Sequence, residues 1–194
     1  MAAPLGTDTR GTILDAATEL LQSSAFDTIT LARIAEKAGI SKGTLYYYYS
    51  NKDDILFDIT GRYLDKLAED LMVWVDNAEK DTSLPRLIHY ILERGAATTY
   101  GNLRLYLIGA GVSGHSALRE RYTERYGEFH RTLAQKIAER APGVDAGYIT
   151  WLLLTVMDGV LVQRQLGNPA FDAEHFLHET AEIATGLCRS VEKE

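Results

Sequence analysis

Paired cysteine is missing from this chain of 194 residues, in which Cys188 stands alone. A disulfide framework needs partners, so a stapled secreted scaffold is excluded and a reducing compartment, the cytoplasm, is the expected setting. Cys188 reads as a small apolar filler on a helix. Long apolar runs are absent too. No stretch reaches the ~18 consecutive apolar residues of a membrane span, and the most apolar segment, Tyr148 to Val162, is interrupted by Thr150, Thr155, Asp158 and Gly159. Residues 1–7 lack a basic start followed by an apolar run, so no secretory signal is expected there. A surplus of positive charge is also lacking: 20 lysines and arginines face 27 aspartates and glutamates, a formal net charge of -7. The deficit is unevenly spread. Residues 1–52 balance Arg10, Arg33, Lys37, Lys42 and Lys52 against Asp8, Asp15, Glu19, Asp27 and Glu36, so the remainder carries all of it. A neutral module with lysines on one edge can still dock on phosphates, with weak non-specific affinity.

What is present is a helical period almost from end to end. A first helix is expected over Thr9 to Gln22, with Ile13, Ala17, Leu20 and Leu21 on one face. A second starts at the N-cap Thr30, carries Leu31, Ile34, Ala35 and Ala38, and stops at Gly39. The third is short, from Ser41 to Tyr48 or Tyr49. Asn51 then caps a long helix with Asp53 and Asp54 in its first turn, where the dipole favours negative charge. Its stripe is Ile55, Ile59, Tyr63, Leu67, Leu71 and Trp74. Ser83 and Pro85 open another helix, expected to run toward Tyr100 and to be broken by Gly101 and Asn102. A short apolar piece, Leu103 to Ile108, leads into the glycines 109 to 114. A long helix follows, with Leu118, Tyr122, Tyr126, Phe129, Leu133 and Ile137 on one face, and ends at Pro142 and Gly143. One more covers Asp145 to Leu166. After Asn168 and Pro169 comes a last helix with the stripe Phe176, Thr180, Ala184, Leu187 and Val191. Hairpin signals, fixed-period repeats and low-complexity tracts are missing, so the expectation is an all-α chain of about nine helices.

The most informative stretch runs from Phe26 to Lys52, FDTITLARIAEKAGISKGTLYYYYSNK. Gly39 can take the left-handed conformation that a tight turn between two short helices requires, Ile40 anchors the turn and Ser41 caps the next helix. Two short helices joined this way form the helix-turn-helix, whose second helix lies in the major groove with its N-terminal residues toward the bases. Lys42 supplies charge there, Gly43 lets backbone approach closely, and Thr44 can bond a base edge or touch a thymine methyl. Leu45 and Tyr49 face the core, whereas Tyr46, Tyr47 and Tyr48 project where phenols reach phosphate and rings pack on sugar. Lys52 is placed for the flanking phosphate, and Thr30 and Ser41 each combine a cap with a candidate phosphate contact.

This segment resembles the TetR family of one-component regulators. The likeness rests on Ile34-Ala35…Ala38-Gly39-Ile40-Ser41-x-Gly43-Thr44-Leu45-Tyr46-x-Tyr48 and on the polar-Lys52-acidic start of the fourth helix. Tyr49 stands where the family usually has phenylalanine, adding a hydroxyl that needs a partner, and Asn51 replaces a frequent serine as an equivalent cap. The resemblance implies residues 1–50 as a DNA-binding domain and 51–194 as an effector-binding and dimerisation domain. It implies a homodimer that reads a palindromic double-stranded DNA operator, built mainly from the last two helices of each subunit. Trp151, Thr155, Val162, Phe176, Ile183 and Leu187 are the interface candidates. The penultimate helix is apolar nearly all round and must be covered on several sides, which supports this independently. Tyr90, Tyr106, Tyr122, Tyr126, Phe129, Trp151 and Asp158 lie on the helices that line the family's cavity and suit a mostly apolar small-molecule effector. Such an effector would shift the fourth helix and release a repressor from its operator. No cofactor, metal or membrane partner is implied. A regulator of the same fold without an effector remains the neighbouring alternative.

A second motif competes. Gly109-x-Gly111-x-x-Gly114 after Leu103 to Ile108 has dinucleotide-binding spacing, with backbone amides to hold a pyrophosphate. A nucleotide-binding enzyme would need a second strand about twenty residues on, ending in an acid. Glu128 has that spacing but falls inside the Tyr122 to Ile137 helical stripe, and no parallel sheet can be assembled. His175-x-x-His178-Glu179 has neither order used by zinc proteases. Glu120, Glu124 and Glu128 interleave with Arg121 and Arg125 as a charged helix face. No catalytic residues are assigned.

Overall fold

The computed structural model describes residues 8–24, 28–97 and 101–190, so Phe26, Asp27, Tyr100 and Val191 lie outside the described residues. Among these there are nine α-helices: α1 Thr9–Ser23, α2 Leu31–Lys37, α3 Lys42–Tyr48, α4 Lys52–Val75, α5 Leu84–Gly95, α6 Gly101–Val112, α7 Ser116–Ala138, α8 Ala146–Gln165 and α9 Ala173–Ser190. The chain divides into two compact units, residues 1–62 and 63–194, with the division falling within α4.

In the first unit the helix ends are set by short-range chemistry. Asp8 accepts from the Gly11 amide at 2.9 Å, Thr30 from Arg33 at 3.2 Å and Ser41 from Thr44 at 3.0 Å. Asn51 accepts from the Asp54 amide at 2.9 Å, so α4 is capped as its sequence implies. Between α2 and α3 the chain closes a Schellman turn. Ile40 N–H donates to Ala35 O at 3.0 Å and Gly39 N–H to Glu36 O at 3.1 Å, while Gly39 sits at φ +67°, the left-handed region a side chain resists. Ile13, Ile34, Leu45 and Ile55 are fully buried and bring α1, α2, α3 and the first turns of α4 onto one core.

Tyr49 supplies the polar seam of this unit. Its hydroxyl donates to Asp58 Oδ2 at 2.7 Å and accepts from Arg10 Nε at 3.0 Å, and Arg10 Nη2 meets the same carboxylate oxygen at 2.6 Å. Burial, followed by the hydrogen bond to Asp58, pushes the phenol up from 10.0 to about 12. The folded state therefore holds the phenolic proton more tightly than the unfolded chain does. Its contribution is complete below pH 10 and is lost as pH rises toward about 12. Tyr49→Phe should cost about 1 kcal/mol at neutral pH and flatten part of the alkaline loss. Urea unfolding at several pH values reads both effects, and an unaltered alkaline slope would contradict the assignment.

In the second unit α8 is the central helix, with Ile149, Thr150, Leu153, Leu154, Met157, Val160 and Leu161 buried. It is the one helix among the described residues long and apolar enough to cross a membrane by composition alone, with a mean hydropathy of 1.4. Packing against α5, α6, α7 and α9 accounts for part of that character: 44% of the apolar window is buried, while Tyr148, Trp151, Val162 and Leu166 stay exposed. Three expectations are corrected here. The helix from Leu84 ends at Gly95, and Gly101 and Asn102 open α6 rather than break a helix. Gly101 is buried, and a Cβ there would fall 2.5 Å from Leu161 Cδ1. Leu103 to Val112 is one continuous helix, so Gly109 and Gly111 lie inside it and only Gly114, at φ +116°, makes the turn into α7. On α9 the buried stripe is Leu177, Ala181, Ala184 and Cys188, whereas Phe176 and Leu187 point outward. The periodic pattern there contained two apolar faces, and the core took the one with smaller residues.

Candidate functional site

The first unit presents α3 on its surface. Leu45 is completely buried and Tyr49, which caps the helix, nearly so. A seven-residue helix pinned at these two points turns its other faces outward. Tyr47 is 84% exposed, Tyr46 57% and Tyr48 42%, an extreme for aromatic side chains in a folded module. Tyr47 and Tyr48 meet edge to face at 5.2 Å, which orients both rings. Lys42, Gly43 and Thr44 are exposed at the N-terminal end, and Thr30 is exposed at the head of α2. Ser41 and Thr44 share a hydroxyl pair at 2.8 Å. Lys52 is half-buried at the start of α4. A Cβ on Gly43 would meet nothing nearer than Ser41 Oγ at 3.7 Å, so packing within the chain does not require glycine there.

In the second unit four of the seven cavity candidates converge. Tyr126 donates to Asp158 Oδ2 at 2.7 Å and stacks on Tyr122 with ring centroids 5.6 Å apart. Trp151 lies 6.0 Å from the Tyr126 ring and stacks on His130 at 4.4 Å. The residue that organises them is Arg104, which sequence reasoning missed. It pairs through Nη2 with Asp158 Oδ1, reaches Tyr126 Oη at 3.4 Å, and donates through Nη1 to Gly95 O at 3.1 Å. Burial works against its charge, but the Asp158 carboxylate more than offsets this and holds the guanidinium protonated. Burial likewise raises the Tyr126 phenol far above its ordinary value and pushes Tyr122 up to about 12. A signal existed: Arg104 and Asp158 each interrupt an otherwise apolar helical stretch, and such singletons need partners.

The remaining candidates lie elsewhere in this unit. Tyr90 stacks on Trp74 at 4.7 Å and, with Phe129, lines an apolar cavity bounded by Leu67, Leu71, Ile91, Arg94, Gly95 and Leu133. Tyr106 is half-buried on α6. A second cavity of about 160 Å³, between α4 and α7, is lined by Asp65, Arg125 and Glu128, and its arginine already bonds both acids. His178 faces His89 at 5.6 Å, and among the described residues no three His, Cys, Asp or Glu side chains converge as a metal site.

The six interface candidates share one property. Trp151, Val162, Phe176, Ile183 and Leu187 are exposed large hydrophobics, joined by Tyr148 and Leu166, and Thr155 is exposed between them on α8. Positions 148, 151, 155, 162 and 166 follow the three-to-four spacing of one helix face, as do 176, 183 and 187 on α9.

A helix-turn-helix with an exposed aromatic reading helix, followed by a second all-helical unit, defines a DNA-binding transcriptional regulator. Residues 13–59 match the model of the bacterial regulatory proteins of the tetR family, and residues 108–189 match the C-terminal domain of BetI-type transcriptional repressors. The HTH-type transcriptional regulator YdeS of Bacillus subtilis (strain 168) is 30% identical over 146 residues, 74% of this chain and 69% of that protein. The fatty acid metabolism regulator protein of the same organism is 33% identical over 63 residues, 30% of this chain, and the match spans about a third of its length (32%). A crystal structure of a TetR transcription regulator from Haloarcula marismortui superposes with a TM-score of 0.72 at 20% identity, covering 95% of this chain and 98% of the other. The chain belongs to the TetR family of bacterial regulatory proteins. Its family and fold are those of transcriptional regulators rather than enzymes, and α6 replaces the strand that the Gly109-x-Gly111-x-x-Gly114 spacing would need for a nucleotide site.

Proposed function

We propose that this protein is a homodimeric, sequence-specific repressor in the cytoplasm that leaves its operator when a small, mostly apolar effector binds its second unit. Residues 1–50 form the reading head, and 51–194 serve effector binding and dimerisation. The observation that carries the reading is α3, where Leu45 and Tyr49 are buried while Tyr46, Tyr47 and Tyr48 stand in solvent. Three adjacent exposed tyrosines are costly to keep on a surface that meets only water, and they match the edge of a major groove. Gly43 fits the same reading, since its missing side chain matters to an approaching backbone rather than to packing within the chain. Lys42 and Lys52 supply phosphate contacts, with Thr30, Ser41 and Thr44 at the N-terminal ends of α2 and α3.

The exposed apolar positions on α8 and α9 favour a second copy of the chain as their cover, which sets two heads on a palindrome. Effector coupling of ~1–3 kcal/mol would change operator affinity by ~5–150-fold. α4 begins in the first unit, directly after the reading head, and ends in the second, so it is the covalent path for that coupling.

The test is fluorescence anisotropy with duplexes from the protein's own promoter. Lys42→Ala and Tyr47→Ala should each weaken specific binding by about 1–3 kcal/mol, and Lys42→Ala should also reduce the salt dependence. Melting temperatures should not move, because both side chains are exposed. Unchanged affinity in both variants would overturn the reading-head assignment.

A further inference from the structure

We infer that Arg104 and Tyr122 form the polar anchor of the effector site and that they take an uncharged carbonyl oxygen carried on an apolar body, such as an ester, ketone, lactone or amide. The inference rests on the effector reading above and narrows it to a chemical class. Arg104 is 97% buried by its 3% relative exposure, and two of its three nitrogens are used: Nη1 on Gly95 O, Nη2 on Asp158 and Tyr126. Its Nε is buried with no partner, and so is the Tyr122 hydroxyl. Two such donors in one site are unusual, since buried polar groups are nearly always paired. They are also neighbours: the Tyr122 ring stacks on Tyr126 at 5.6 Å, and Arg104 Nη2 reaches the Tyr126 hydroxyl at 3.4 Å. A carbonyl oxygen has two lone pairs and can accept from both.

Charge decides between acceptors. Arg104 is already neutralised by Asp158, whose other oxygen is held by Tyr126. A carboxylate would therefore add an uncompensated negative charge beside Asp158, and an ammonium would meet the Arg104 cation with no acceptor to offer. Both lose the solvation that a neutral carbonyl hardly needs. An apolar body has a place as well. Gly95, whose carbonyl holds Arg104, also lines the cavity that Phe129 closes one turn beyond Tyr126. That cavity is narrow in this structure, about 20 Å³, near the size of one water. Behind Gly95 lies a movable side chain: the Met157 methyl sits 1.5 Å from where a Gly95 Cβ would lie, and a thioether chain repacks easily.

The experiment titrates the full-length protein with three probes built on an eight-carbon chain that differ in the head group: methyl octanoate, octanoate and octyltrimethylammonium. Trp151 fluorescence and melting temperature are the readouts, the indole being 6.0 Å from the Tyr126 ring. Methyl octanoate should bind roughly 10-fold tighter than either charged probe. Tyr122→Phe should weaken its binding roughly 5-fold to 10-fold while leaving the melting temperature of the unliganded protein unchanged or higher, since an unpaired hydroxyl is removed. Arg104→Lys, which keeps the charge toward Asp158 and deletes Nε, should weaken it as well. Equal or tighter binding of a charged probe, an indifferent Tyr122→Phe variant, or no binding of any probe would each overturn the anchor. Binding in the expected order without loss of operator retention would support the anchor and reject the effector role, so the two failures are distinguishable.

Discussion

Asp158→Ala should lower the stability of the protein by about 3–5 kcal/mol, because it strands a buried guanidinium. The carboxylate itself is 30% exposed and the Arg104 side chain only 4%, so the damage falls on the partner left behind. Arg104 projects from α6 between α7 and α8 and cannot reach water without unpacking the core of the second unit. Tyr126 loses its acceptor at the same time. Replacing both members of the pair with apolar residues, Arg104→Met with Asp158→Leu, should recover much of the loss, since the desolvation cost of two charges disappears with their attraction. Urea unfolding followed by helical circular dichroism measures all three proteins. A loss under about 1 kcal/mol for Asp158→Ala would mean that Arg104 is solvated, and the buried network would then be rejected.

Ile183→Glu should convert the proposed dimer to monomer at micromolar concentration. Ile183 is 62% exposed, so a glutamate there meets water in the isolated chain and leaves its folding intact. On a two-fold interface the same change appears twice, and each buried carboxylate lacks a partner. At a few kcal/mol for each, association should weaken by about 10³-fold or more. Sedimentation velocity reads the change directly. Operator affinity should fall with it, because a single head makes half the contacts. A variant that sediments as the parent does would place the interface elsewhere.

Much of the first unit was legible because its determinants are local. Thr30, Ser41 and Asn51 each bond an amide three residues on, and the Gly39 turn closes within six residues. Alternation between Leu45, Tyr49 and the tyrosines between them follows from helix period alone. The hydroxyl of Tyr49 was legible as a need and not as an answer, since Arg10 and Asp58 lie 39 and 9 residues away. In the second unit, α6 was misread because glycines end helices in isolation. Here Gly101 is buried against Leu161, where a Cβ would fall 2.5 Å from Cδ1. Packing overrode propensity at that position.

By itself the sequence determined the helical class, the capped turn before Lys42 and which tyrosines could face outward, because each depends on contacts within a few residues. Tertiary structure alone decided that Asp158 belongs to Arg104, 54 residues away, and which of two apolar faces of α9 entered the core. The reason is that charge pairing and burial depend on what the fold brings near, and a helical period reports only which residues share a side.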